Sequence, residues 1–259
     1  MTTSTQAMDR GQQRKYRHYY QPTYQDCAGR IQDEYSRKFV RVRLNLIRNL
    51  YHGGTVLDFC CGSGDYLVPT AAWAEAVIGV DFSAEMIIGA LRRVRTMRLA
   101  NVSFVVANAR NVPLESESVS MSFSFSSLYY IANVQEVVRE CARILMPNGI
   151  AILEFGILHS LNTIVCRSYP ELAAPCHIPL SEVYRILAEA SFKVEQEISS
   201  QLLPLWGSRP RWLRPLLHRY WKTLMQLDVG DKMLDLRVSG SWLLRRFAFR
   251  HIMVCRKVT

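Results

Sequence analysis

An α/β fold built on a parallel sheet is predicted by three observations in this 259-residue sequence. Short apolar runs alternate with stretches of helical periodicity, the pattern of repeated strand–helix–strand units. A glycine turn joins the first apolar run to a helix. No internal repeat or low-complexity tract points to a solenoid or an array.

The elements follow in order. Strands are expected near 55–60, 77–81, 102–107, 119–126, 150–155, 192–198 and 247–255. Helices are expected over Leu67 to Ala74, Ala84 to Met97, Val134 to Leu145 and Ser181 to Ala190, each with apolar positions at helical spacing. Ser83 and Ser181 are placed as N-caps, their hydroxyls available to the first free amides. Pro147-Asn148-Gly149 is expected to stop the fourth helix before the next strand. Residues 200–246 form a connection far longer than neighbouring elements need, so it should carry its own structure. Within it, Leu213, Leu216, Leu217, Tyr220, Trp221, Leu224 and Leu227 share one face of an expected single helix.

Composition narrows the class. Neither a secretory core near the N-terminus nor an uninterrupted run of eighteen apolar residues is present, so a cytoplasmic protein is expected. Seven scattered cysteines without a C-x-x-C pair read as reduced thiols, and no metal site is expected. The net charge of +10 is local: the residues after Ser199 hold 12 Lys and Arg against 3 Asp and Glu. That segment, not the rest of the chain, would face an acidic or membrane-associated partner, or simply solvent.

The most informative stretch is Thr55-Val-Leu-Asp-Phe-Cys-Cys-Gly-Ser-Gly-Asp-Tyr66, a buried strand running into a turn that opens a helix. Gly62 and Gly64 let the backbone approach a ligand at the helix start. Asp81 ends the second strand about twenty residues later, where a carboxylate reaches ribose hydroxyls in nucleotide-cofactor sites.

The series Asp58-x-Cys60-x-Gly62-x-Gly64, then Gly79-Val-Asp-Phe-Ser83 with Met86, then Asn108-Ala109, then Leu145-Met-Pro-Asn-Gly149 resembles the motifs of class I S-adenosylmethionine-dependent methyltransferases across roughly 40–200. Two positions depart from the family: Cys60 stands where a glycine is usual and Asn108 where an aspartate is. The resemblance implies a Rossmann-like, seven-stranded sheet, mostly parallel with an antiparallel last strand formed by Phe247 to Val258, and helices on both faces. It implies S-adenosylmethionine as cofactor and S-adenosylhomocysteine as product. Gly62 and Gly64 would lie against the methionine part, Asp58 near its amino group, Asp81 at the ribose, and Phe82 and Met86 around the adenine. Cys60, Asn108, Ala109 and Ser126 complete the expected cofactor wall. Tyr20 and Tyr24, in a basic N-terminal arm over 1–39, are expected to close over the site; the catalytic domain would comprise 40–199 and 247–259.

Methyl transfer from a sulfonium is an in-line displacement that depends chiefly on positioning. A hydroxyl acceptor must still lose its proton, and among Tyr129, Tyr130, His159 and His177, Tyr129 is the first candidate and His159 the next. The expected function is transfer of a methyl group to oxygen or nitrogen of a small, aromatic or amphiphilic metabolite. Two other readings stand beside it: modification or binding of nucleic acid through the basic segment, and cofactor binding without catalysis. Nucleic acid is disfavoured, because no Asp/Asn-Pro-Pro-aromatic tetrad follows the fourth strand. The 200–246 segment is read as a basic, Trp-rich helical lid, with 205–227 as the part that would touch a membrane surface or admit a lipid-like acceptor.

Overall fold

The computed structural model describes residues 33–169 and 176–258. Tyr20 and Tyr24 lie outside the described residues. Helix α1 (Glu34–Leu50) leads into β1 (Thr55–Phe59), α2 (Leu67–Ala71), β2 (Ala76–Asp81), α3 (Ala84–Thr96), β3 (Val102–Val106) and β4 (Val119–Ser124). Then come α4 (Val134–Ile144), β5 (Leu145–Gly156), α5 (Leu161–Arg167), α6 (Leu180–Glu189) and β6 (Phe192–Ser200). The connection to the last strand holds α7 (Arg214–Leu217), α8 (Arg219–Met225), a two-stranded ribbon of β7 (Asp228–Val229) and β8 (Lys232–Met233), and α9 (Leu234–Ser239), before β9 (Arg250–Lys257).

The main sheet has seven strands in the order β3-β2-β1-β4-β5-β9-β6, with β9 antiparallel to both β5 and β6. Alternate side chains divide the core, as the two-residue period of a strand requires. Leu57, Phe59, Ala151, Leu153 and Phe155 face α4 and α6, whereas Val56, Ile150 and Ile152 face α1, α2 and α3. The chain reverses its crossover direction between β1 and β4, so the carboxyl ends of β1, β2 and β4 open onto one crevice.

Four local expectations need correction. Helix α6 begins at Leu180 with Pro179 in the N-cap position, and Ser181 lies inside the helix. The fixed φ of proline and its carbonyl, which accepts from the Glu182 and Val183 amides, set the start without a side-chain cap. Helix α4 ends at Ile144, and Pro147-Asn148-Gly149 lies within β5, in an irregularity between the Val119–Leu145 and Met121–Ile150 pairs. The expected helix over 213–227 is two helices separated by His218 in an extended conformation. There the Pro215 carbonyl accepts from the Trp221 indole at 2.8 Å, and the His218 Nδ1 accepts from the Tyr220 amide at 3.2 Å. The break also redistributes the apolar face: Leu213, Leu217 and Met225 are buried, while Tyr220 and Leu227 are exposed. Finally, α1 had no counterpart among the expected elements. Asp33 caps it by accepting from the Ser36 amide at 2.9 Å, and Tyr35, Phe39, Arg43 and Ile47, each four residues apart, form its buried stripe.

The connection packs on α1. Met225 is buried with Tyr35, Leu203 and Leu205, and Lys222 bonds Asp33 at 2.8 Å. Asp235 is buried, accepting from the Tyr35 hydroxyl and from the Gln201 amide, each at 2.8 Å. Much of the local positive charge is engaged as well: Arg256 pairs with Glu195, Lys257 with Glu117 and Arg237 with Asp231.

Candidate active site

A cavity of about 370 Å³ lies at the carboxyl ends of the strands, between the β1 turn and α1. Asp58, Cys60, Gly62, Asp81, Phe82, Asn108, Ala109, Ser126 and Tyr129 all line it. Gly64 and Met86 do not. Gly64, at φ +82°, is pressed against Val68 and Ala90, and the Met86 methyl sits 3.3 Å from where a Gly62 Cβ would stand. Both support the turn from beneath. His159 is exposed and outside the cavity. His177 is buried behind the wall, its ring 6.1 Å from that of Tyr129 and its Nδ1 2.7 Å from the Thr163 hydroxyl.

The turn has a physical requirement at three positions. Cys60, Gly62 and Gly64 all have positive φ, +60°, +53° and +82°. Cysteine at the first of these accepts a conformation that L side chains adopt reluctantly. Replacing Cys60 by Gly is therefore expected to hold stability within about 1 kcal/mol, since relief of strain offsets the looser unfolded chain, whereas the β-branched Cys60→Val should cost about 2 kcal/mol. Urea denaturation of the pair checks this. Burial, with Asp81 and Asp58 nearby, pushes both the Cys60 and Cys61 thiols up, which keeps them protonated and unreactive.

The two ends of the cavity differ in charge. At the β1–β2 end, the Asp81 carboxylate accepts from the Gly62 amide and from the Ser83 amide, each at 2.9 Å, which locks the turn to the second strand. Asp58 is buried, and its Oδ2 has no hydrogen-bond partner. Burial and the carboxylates of Asp81 and Asp65 push its pKa well up. Asp65 pairs with Arg93 at 3.0 Å. The Leu67 amide bonds the carboxylate, and a cationic group fits beside its free Oδ2, because a buried oxygen without a partner is costly until a donor or a positive charge approaches. An ammonium or a sulfonium meets that description. At the base of the third strand, Asn108 turns its side-chain carbonyl toward its own loop, accepting from the Arg110 amide at 3.1 Å.

The other end is basic. Glu154, fully buried at the end of β5, bridges Arg43 of α1 and Arg250 of β9, and its Oε1 accepts from the Ser126 amide at 3.2 Å. Although burial raises the pKa of Glu154, the two guanidiniums outweigh it and hold the carboxyl below its usual range. Arg43 also bonds the Tyr66 hydroxyl and lies over the Phe39 ring, 4.3 Å from its centroid. Arg250 donates to the Tyr129 hydroxyl at 2.8 Å, the Ser126 hydroxyl at 3.1 Å and the Gln201 side-chain carbonyl at 2.7 Å. Tyr35, Leu205, Trp206 and Lys222 complete this wall.

Arg43, Glu154 and Arg250 were absent from the site expected from sequence. The available signal was the same for all three: a charged residue standing where the pattern demands an apolar one, on the buried stripe of α1 or within the apolar runs of β5 and β9.

His177 supplies a pH dependence. Burial, with Arg167 and Arg250 adding repulsion, lowers its pKa from 6.5 to about 3. Between those values the unfolded chain binds a proton that the folded chain refuses, so stability falls as pH falls. The slope should approach 1.4 kcal/mol per pH unit at most. Denaturation at pH 7 and pH 5 is expected to show the loss, and His177→Gln to flatten it.

With this geometry, the comparisons with known proteins agree. Residues 57–153 match the family described as a methyltransferase domain. The demethylmenaquinone methyltransferase of Geobacillus sp. is 32% identical over 107 residues, 39% of this chain and 44% of that protein. The 2-phytyl-1,4-naphtoquinone methyltransferase of Trichormus variabilis is 33% identical over 108 residues, 40% of this chain and 47% of that one. The chain thus spans just under half the length of these curated relatives. Among solved structures, geranyl diphosphate C-methyltransferase from Streptomyces coelicolor, in complex with S-adenosylhomocysteine, aligns with a TM-score of 0.62 at 17% identity, covering 86% of this chain and 80% of that one. The [4+2]-cyclase SpnF aligns with a TM-score of 0.59, also at 17% identity, over 86% and 81%. Residues 57–153 thus match a methyltransferase domain, and the solved structures share the fold of the whole sheet.

Proposed function

We propose that this enzyme transfers the methyl group of S-adenosylmethionine to an oxygen or nitrogen of a small, aromatic or amphiphilic acceptor. The observation that carries the reading is the unpartnered Oδ2 of the buried Asp58, placed between a positive-φ turn and Asp81 at one end of a cavity whose other end is aromatic and basic. Asp58 and Asp81 would hold the cofactor's ammonium and ribose, with Phe82, Asn108 and Ala109 around its base. When bound, the cofactor supplies an electrophilic methyl carbon. The chain's own contribution is orientation: Tyr129, Gln201, Leu205 and Trp206 wall the far side, where an acceptor's lone pair would face that carbon in line. The Tyr129 hydroxyl oxygen accepts from Arg250, so Tyr129 does not take the acceptor's proton as expected but offers its own O–H as a hydrogen-bond donor, and an acceptor that is not already ionised would release its proton to solvent. His159, exposed and outside the cavity, has no part in this arrangement.

Calorimetry with S-adenosylhomocysteine should register one-to-one uptake that weakens at least tenfold in Asp58→Ala. No uptake by the unaltered protein would sink the reading. The quinone and isoprenoid acceptors in the relatives' names are consistent with an apolar acceptor body.

The apolar body also bears on the expected surface contact. No helix among the described residues is long and apolar enough to cross a membrane. Trp212 and Tyr220 are 67% and 61% exposed beside Arg211, Arg214 and Arg219, and Trp242 is 74% exposed ahead of Arg245 and Arg246. Such a surface suits shallow insertion among anionic headgroups. Flotation with phosphatidylglycerol vesicles should recover the protein and lose it with Trp212→Ser/Trp242→Ser; equal recovery of both would count against the contact.

A further inference from the structure

The charge on the basic wall exceeds what the wall itself consumes. Two arginines, Arg43 and Arg250, meet a single carboxylate, Glu154, so the buried trio carries one surplus positive charge. Lys222, also on the wall, already pairs with Asp33. The two arginines are not equivalent. Arg43 is committed to Glu154 and Tyr66 within α1 and its neighbours, and its Nε is sealed from solvent without a partner. Arg250 spends Nε on Gln201 and Nη1 on Ser126, Tyr129 and Glu154, while its Nη2 bonds none of the described residues and is not sealed off. Its side chain is 19% accessible and lines the cavity.

Position assigns that free face. β9 lies beyond β5, four strands from β2 and its Asp81, so Arg250 stands on the side of the cavity away from the expected cofactor. The Tyr129 hydroxyl is 2.8 Å from Nη1, and its proton is free to turn toward the same space. A guanidinium and a phenol hydroxyl thus stand side by side on the same cavity wall, a pairing suited to an anionic oxygen.

We propose that Arg250 Nη2 and the Tyr129 hydroxyl form an anchoring subsite for an ionised oxygen of the acceptor, a carboxylate or phenolate on an apolar ring or chain. The subsite rests on the proposed function for its role and names the class of acceptor it takes. An anion placed here neutralises the surplus charge of the Arg43–Glu154–Arg250 trio, and its apolar body extends along Tyr35, Leu205 and Trp206. Arg250 is then a specificity residue: it selects acceptors by charge.

The test uses the full chain saturated with S-adenosylhomocysteine and two probes of equal shape, 2-naphthoate and 2-naphthamide, with affinity read by calorimetry. The carboxylate is expected to bind at least tenfold more tightly than the amide. Arg250→Gln should abolish that preference, Arg250→Lys, which keeps the charge and loses the fork, should reduce it several-fold, and Tyr129→Phe should reduce it less. S-adenosylhomocysteine affinity should stay within twofold in each variant that folds, and Arg250→Lys decides the matter should the glutamine variant fail to fold. Equal affinity for the two probes, binding of neither, or a preference that survives both Arg250 substitutions would overturn the subsite. Failure of the unaltered protein to take up S-adenosylhomocysteine would strike the proposed function instead, so the two failures are distinct.

Discussion

Replacing Glu154 by Ala should destabilise the protein by about 3–5 kcal/mol, the range for removing one partner of a buried ion pair, with the upper end favoured because two charges lose their partner. Arg43 and Arg250 bond different oxygens of the same carboxylate, both are largely buried, and without it they repel each other with no counter-charge between them. The Ser126 amide loses its acceptor at the same time. Because a domain of this size is stable by only about 5–15 kcal/mol, the variant should unfold at markedly lower urea, with the slope of the transition unchanged. Glu154→Gln would keep an acceptor for Ser126 but supply no charge, and should recover only a part of the loss. Arg43→Met with Glu154→Leu, which removes a charge of each sign, should cost less than Glu154→Ala alone, and a larger cost would contradict the charge argument. The same carboxylate sets an acid limit: its pKa is held below the usual value, so the stability it contributes is complete above the unfolded carboxylate pKa and disappears as pH falls through the lower folded value.

Asp81→Ala should be the most damaging change for the cofactor. Two buried amides, those of Gly62 and Ser83, would lose the oxygens they bond at 2.9 Å. Each orphaned amide costs about 1–3 kcal/mol, and the turn that carries Cys60, Gly62 and Gly64 would no longer be tied to β2. On the proposed reading, loss of a charged acceptor for ribose should add about 1.5–3 kcal/mol to the binding deficit, or roughly ten- to a hundredfold in affinity. Asp81→Asn retains one carbonyl oxygen and should fall between. Removing the negative charge also relieves Asp58, whose raised pKa owes part of its rise to Asp81, so the Asp58 carboxyl should ionise at lower pH in the asparagine variant. Calorimetric titration with S-adenosylhomocysteine, paired with urea denaturation of each variant, separates the binding loss from the folding loss. Cofactor affinity unchanged in Asp81→Ala would exclude any direct contact of this residue with the cofactor.

Local patterns carry information over a few residues, and the outcome follows that limit. The sheet strands, the Ser83 cap and the turn from Asp58 to Gly64 were legible because each is written in consecutive residues: an apolar run, a hydroxyl at a helix start, glycines where φ must be positive. The break at His218 was not, since it depends on the Trp221 indole taking a carbonyl that a continuous helix would have used. Nor was α6's start, which the Ser181 hydroxyl suggested and Pro179 sets two residues earlier.

By itself, then, the sequence determined the α/β class, the seven-strand order of elements and the acidic end of the cavity, because period, glycine and the β2-terminal aspartate are local properties of the chain. Tertiary structure alone decided the basic end. Arg43, Glu154 and Arg250 are separated by 111 and 96 residues along the chain. Only the packing of α1 and β9 around the end of β5 makes them one network, since a charge survives burial through partners that no local pattern can name.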